Sequence, residues 1–413
     1  NGTVPLATDP GGLPDLAWDQ PLAGAFTGNL DLNGAARFFH ADGHQLEGRV
    51  EGDFALEGTS ASPNLSGSAK LEGGRYENAQ FGTVLQDIVL RVKAKDRELR
   101  MTELNANDGE GGTLVLYGKI TADPQRHFPI ELHAECKGFR AIRRPNLQAR
   151  LDATANLAGD MAHAAMSADT TLQEVVLKLP DKLPEGQLPN IAVVEINGPA
   201  KEDKKEKNAL PLPMTFPEVA LDATIHAPDT IAVRSNLLES TWGGDLHAGG
   251  TLREPRLKGA LRVARGRVEF LGRQFTLAGS TISFDGSPGF APYVEAAAKT
   301  QTQDVTAILS VTGKPDAMTF DLNSEPAMPK DEIIARVLFG RTLAQITPVQ
   351  AVQLARVAAM LGGAATRMPL RDGLFGFGLL DNIDVRAGDT PGETVVGVGA
   401  YITDRVYTEV EQG

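Results

Sequence analysis

Apolar residues recur at every second position over stretch after stretch of this chain, and that period most constrains its fold. Leu151, Ala153, Ala155 and Leu157 alternate with Asp152, Thr154 and Asn156. Val219, Leu221, Ala223, Ile225 and Ala227 alternate with Asp222, Thr224 and His226. Val305, Ala307, Leu309 and Val311 repeat the pattern, then Met318, Phe320 and Leu322, and Val268 and Phe270 flank Glu269. A strand turns successive side chains to opposite faces, so each segment has one apolar and one wet face. Strands of a parallel sheet, buried on both faces, read as continuous apolar runs instead. The period therefore predicts a mainly β chain built on an antiparallel-type sheet. The 44 glycines and 25 prolines, with no collagen period, supply the turns it needs.

The pattern also repeats over a longer distance. Residues 58–75 and 250–267 align at a constant offset, with identities at Gly58/Gly250, Thr59/Thr251, Pro63/Pro255, Leu65/Leu257, Gly67/Gly259, Gly74/Gly266 and Arg75/Arg267. The reading is strand, Gly-Thr exit, proline-containing turn, strand. At about 180–217 the pattern breaks. Seven prolines from Pro180 to Pro217 crowd around Lys201-Glu202-Asp203-Lys204-Lys205-Glu206-Lys207, which reads as a loop insertion. From about 329 the period turns helical. Ile333, Ile334, Val337 and Leu338 follow Asp331 and Glu332, with Gly340 as the stop. A second helix opens on Thr347 and Pro348. Its stripe is Val349, Val352, Ala355 and Ala359, widened by Leu354, Val357 and Leu361. Strands return at 383–386, 395–402 and 406–411. This divides the chain into a repetitive sheet over 1–325, a helical segment over 326–380 and terminal strands over 381–413.

The same residues argue against chemistry. His40 and His44 are four apart, but Asp42-Gly43 between them reads as a turn and no third ligand is near. Gly373-Leu374-Phe375-Gly376-Phe377-Gly378 lacks the order and the lysine of a phosphate loop. No nucleophile elbow occurs. No enzyme, metal or cofactor is expected. A formal charge of -13 opposes nucleic-acid binding. The single cysteine, Cys136, rules out an internal disulfide. No apolar run is long enough for a membrane-spanning helix. The chain reads as a fragment, with any export signal or anchor outside it.

The run Met328-Pro329-Lys330-Asp331-Glu332-Ile333-Ile334-Ala335-Arg336-Val337-Leu338-Phe339-Gly340-Arg341, then Ile346-Thr347-Pro348-Val349-Gln350-Ala351 and Leu354-Ala355, resembles the C-terminal region of the TamB family, which is related to the AsmA-like group. Val311-Thr312-Gly313-Lys314-Pro315 and the tail from Val398 to Tyr407 resemble it too, although Ala400 stands where such tails often carry lysine. The resemblance implies an elongated sheet bent like a taco, with an apolar concave groove. It implies a periplasmic protein anchored to the inner membrane, supporting outer-membrane biogenesis or phospholipid transfer beside an Omp85-type partner.

Two readings of the alternation stay open: a lane for acyl chains, or an ordinary closed core. The candidate lane residues are Leu151, Ala153, Leu157, Leu221, Ala223, Ile225, Val305, Ala307, Leu309, Val311, Met318, Phe320 and Leu322. Phospholipid is the expected cargo. A chaperone-like binding module for outer-membrane proteins is the alternative, with Val396, Val398, Tyr401, Val406 and Tyr407 as partner contacts. A surface solenoid would explain the repeat but not the two apolar helices.

Overall fold

The computed structural model describes residues 2–3, 6–8, 14–16, 21–33, 43–59, 61–179, 218–289, 291–302, 304–315, 317–362, 383–387, 394–403 and 406–412, with the backbone alone before 21, at 356 and 359–362, and after 382. Short strands β1 (Gly2–Thr3), β2 (Leu6–Thr8) and β3 (Pro14–Leu16) come first. The main sheet continues through β4 (Ala23–Asp31), β5 (His44–Glu47), β6 (Arg49–Thr59), β7 (Ser62–Asn78), β8 (Thr83–Lys95), β9 (Glu98–Asn107), β10 (Thr113–Thr121), β11 (Ile130–Arg143), β12 (Leu147–Gly159) and β13 (His163–Lys178). It resumes with β14 (Glu218–Arg234), β15 (Leu238–Gly250), β16 (Pro255–Phe270), β17 (Arg273–Leu277), β18 (Thr281–Pro288), β19 (Tyr293–Gln301), β20 (Thr306–Lys314) and β21 (Ala317–Glu325). Helices α1 (Lys330–Phe339) and α2 (Pro348–Gly362) follow, then β22 (Ile383–Ala387), β23 (Thr394–Thr403) and β24 (Val406–Gln412).

Nineteen strands form one sheet, in which neighbours along the chain are mostly neighbours in space. It is not a closed barrel. Strands β2–β3 and β22–β24 form two small separate sheets. The antiparallel expectation holds for the described pairings except one: β13 and β14 run parallel, His163 beside Glu218 and Lys178 beside Arg234. The sheet is thus mixed. The proline-rich insertion that links these two strands lies outside the described residues. A parallel pair needs a long return connection, which a hairpin turn cannot supply.

The two copies of the internal repeat form the same hairpin. Gly58 faces Pro63 across β6–β7, and Gly250 faces Pro255 across β15–β16. In each turn the threonine hydroxyl accepts a backbone N–H three residues on, Ser62 to Thr59 and Glu254 to Thr251, both at 3.1 Å. Gly67 and Gly259 hold φ of 129° and 122°. A methyl group at either would strike a carbonyl oxygen of the adjacent strand, Asp53 or Asp245. Both glycines lie on the apolar face, and such kinks curve a sheet.

The opposite face is polar. Its ion pairs run between neighbouring strands, such as Lys70–Glu51 at 2.9 Å, Arg91–Glu103 at 3.0 Å and Lys119–Glu131 at 3.4 Å. Such exposed pairs contribute about 0–1 kcal/mol each.

Both helices sit against the apolar face. Ile333, Ile334, Ala335 and Val337 of α1, with Leu354 and Val357 of α2, form one buried cluster with Phe270, Phe275, Ala298, Leu309, Met318 and Leu322. Each such Leu, Ile, Val or Phe contributes roughly 1.5–3 kcal/mol by leaving water. Gly340 ends α1 with φ of 65°, its N–H bonded to the Arg336 carbonyl. Thr347 and Gln350 cap α2 reciprocally, each side-chain oxygen accepting the other's backbone N–H. The predicted α2 stripe is corrected at two positions, for Ala355 is exposed as well as Val352. Val352 is 57% exposed, and the buried line runs through Leu354 and Val357.

Candidate functional site: an apolar lane across the strands

Residues directly opposite each other on paired strands point to the same face. Following these partners from strand to strand gives an unbroken row: Leu30, Val50, Leu71, Leu90, Leu104, Leu116, Ala134, Ala155, Ala168, Ala223, Ala248 and Leu257. Every member is apolar, from β4 to β16. A second row beside it runs Gly28, Gly52, Ala69, Val92, Met101, Gly118, Leu132, Leu157, Met166 and Leu221. A third runs Phe26, Phe54, Gly67, Ala94, Leu99, Ile120, Ile130, Gly159, Ala164 and Val219.

Keeping the rows in phase takes a local irregularity. On β9 the apolar positions change step, from Leu99 and Met101 to Leu104 and Ala106. The register slips at that point against both β8 and β10, so a bulge absorbs the extra residue and all four stay on one face.

Cys136 lies on the same face, between Leu114 and Ala153. Burial pushes its thiol pKa up, and the carboxylates of Asp152 and Glu135 push it further, so it stays neutral.

The predicted lane residues divide into two groups. Leu157, Leu221 and Ala223 stand in the rows above, and Ala153 and Ile225 belong to the next row through Cys136, Thr170 and Leu246. Leu151 faces Leu172. All of these except buried Ala223 are half-buried, with part of the side chain open to solvent. Val305, Ala307, Leu309, Val311, Met318 and Leu322 are buried instead, and Phe320 is half-buried. Leu309 pairs with Ala298 and Leu322, and Val311 with Ala296 and Phe320. At that end the helices cover the face.

Between the two groups lies a cavity of about 240 Å³. Leu177, Val233, Leu238 and Trp242 of β13–β15 line it from one side, and Val294, Ala296, Leu309, Val311 and Met318 of β19–β21 from the other. All of them belong to the apolar face, so the sheet curls toward that face here and its two flanks oppose each other. Sequence alternation missed Trp242 and, apart from Ala155 and Ala223, the long row from Leu30 to Leu257. The middle of that row is five alanines, whose hydropathy signal is weak. Of the predicted partner contacts, Val398 stands opposite Val410 and Tyr401 opposite Tyr407 in the β23–β24 pair, with Val396 and Val406 nearer its ends.

An open sheet with one wet face, one continuous apolar face and helices capping one end defines a protein that presents a surface. The TamB C-terminal domain matches residues 101–413, and the chain belongs to the TamB family. Over 412 residues it is 22% identical to the translocation and assembly module subunit TamB of Haemophilus influenzae, covering 97% of this chain and 31% of that protein. The chain thus spans about a third of the length of that relative.

Proposed function

We propose that this chain is a non-enzymatic, periplasmic part of a translocation and assembly module in outer-membrane biogenesis, and that its apolar face conducts phospholipid acyl chains. The observation that carries this reading is the row from Leu30 to Leu257, apolar over every strand it crosses. Exposing an acyl chain to water costs about 0.8 kcal/mol per methylene, hence about 12 kcal/mol for a chain of about 16 carbons. A row without a polar interruption cancels most of that at each step and needs no reacting group. The bridge from inner to outer membrane requires the rest of a longer protein.

The test is photo-crosslinking from Leu157, with mass spectrometry of the attached lipid, in the parent chain and in Leu221→Arg. Lipid adducts that fall severalfold in the variant, at unchanged circular dichroism, support the lane. Equal adducts in both chains argue for an ordinary surface.

A second reading is supported by the separate β22–β24 sheet, which pairs with no strand of the main sheet among the described residues. Its free edges suit strand addition by an Omp85-type partner or a nascent outer-membrane strand. Deleting 395–413 abolishes co-purification of such a partner on this reading, and retained co-purification argues against it.

A further inference from the structure

The cavity between the two flanks differs from the rest of the lane. Its exposed lining is wholly apolar. The one hydroxyl there, Ser240, is buried and already engaged: it accepts the Trp242 indole N–H at 2.9 Å and points at the Val233 carbonyl at 3.5 Å. No polar group is left to meet a headgroup, and placing one there unpaired is costly. Toward β21 the cavity is shut. Val268, Ala298, Leu309, Val311 and Met318 belong at once to its wall and to the cluster beneath α1 and α2. Toward the lane the apolar packing runs on, because Trp242, Val233 and Ile282 also pack with Ile225, Leu246 and Leu261.

We propose that this cavity is an end-stop that receives the methyl terminus of an acyl chain lying in the lane, the headgroup staying behind at the open rim. The inference rests on the lane reading and adds the cargo's orientation and resting place to it. Size agrees: an apolar cavity of about 150 Å³ takes up benzene, so about 240 Å³ admits a longer piece of hydrocarbon. The helices supply the stop. Displacing them would expose Ile333, Ile334, Val337, Leu354 and Val357 to water together, so the chain halts before them.

Trp242 is a built-in reporter. The chain has two tryptophans, and Trp18→Phe leaves Trp242 alone. Spin-labelled stearic acid is added to this variant, with the label either near the methyl end or near the carboxyl. The expected result is several-fold stronger quenching of Trp242 emission by the methyl-end label, and its loss in Ala296→Phe, which fills the cavity. Circular dichroism of that variant checks its fold. Equal quenching by both labels, or stronger quenching by the carboxyl-end label, overturns the inference. Crosslinking of a photoreactive fatty acid at Leu157 separates the two readings. Adducts there without quenching sink the end-stop and leave the lane, whereas neither signal sinks both.

Discussion

The Arg273 guanidinium Nε donates to the Val337 carbonyl at 2.9 Å, tying strand β17 to the last turn of α1. A helix's final carbonyls lack partners within it, and a cation there also meets the negative end of the helix dipole. Arg273→Ala should cost about 1–2 kcal/mol. Amide exchange in 336–340 should quicken while exchange in β10–β12 stays as it was. Unchanged exchange in α1 would show that the apolar cluster alone holds the helix.

Gly67 and Gly259 should tolerate no side chain. Each combines a positive φ with a neighbouring carbonyl where a methyl would go. Gly67→Ala should destabilise by more than about 2 kcal/mol. Gly73, with φ of 68° and open space around it, is the internal control and should lose only about 1 kcal/mol as alanine. Denaturant midpoints of the two variants decide the matter.

Truncating predicted lane residues should separate the two groups. Leu309 is 2% exposed beneath the helices, and Leu309→Ala should cost about 2–5 kcal/mol. Leu157 is half-buried in the open rows, and Leu157→Ala should cost less than about 1.5 kcal/mol. Similar losses at both sites would mean that the rows are packed as a closed core.

Asp108 gives the fold an acid-side weakness. Burial pushes its carboxyl up, but backbone N–H groups of Arg140, Glu110 and Gly112 and the Arg143 guanidinium outweigh that and hold it below the usual carboxylate range. A depressed folded-state pKa contributes stability above the unfolded value, and that stability is lost as pH falls through the folded value. Asp108→Asn should cost about 2–3 kcal/mol at neutral pH and flatten the acid limb of a urea-midpoint titration. An acid limb as steep as before would place the weakness elsewhere.

Much of this architecture was legible because period two is a local property. Strands β12, β14, β20 and β21 follow from alternation, and the Gly-Thr-turn-Pro spacing placed both hairpins. Thr347-Pro348 and Gly340 marked helix ends through caps that act within one turn. What escaped depends on partners distant in the chain. The parallel β13–β14 pair is set by a return path, not by either strand's own residues. Val352 and Leu354 are equally apolar, and only the position of β19–β21 decides which is covered. The row through Ala134, Ala155, Ala168, Ala223 and Ala248 emerges only when the registers of successive pairs are laid end to end.

That row has a further consequence. From β6 to β10 it is valine and leucine, from β11 to β15 alanine, and at β16 leucine again. Every position stays apolar across the strands while side-chain length changes, so the floor drops at Ala134 and rises at Leu257. Headroom is therefore the quantity that varies along the sheet. Ala155→Leu would level the step without adding a single polar atom.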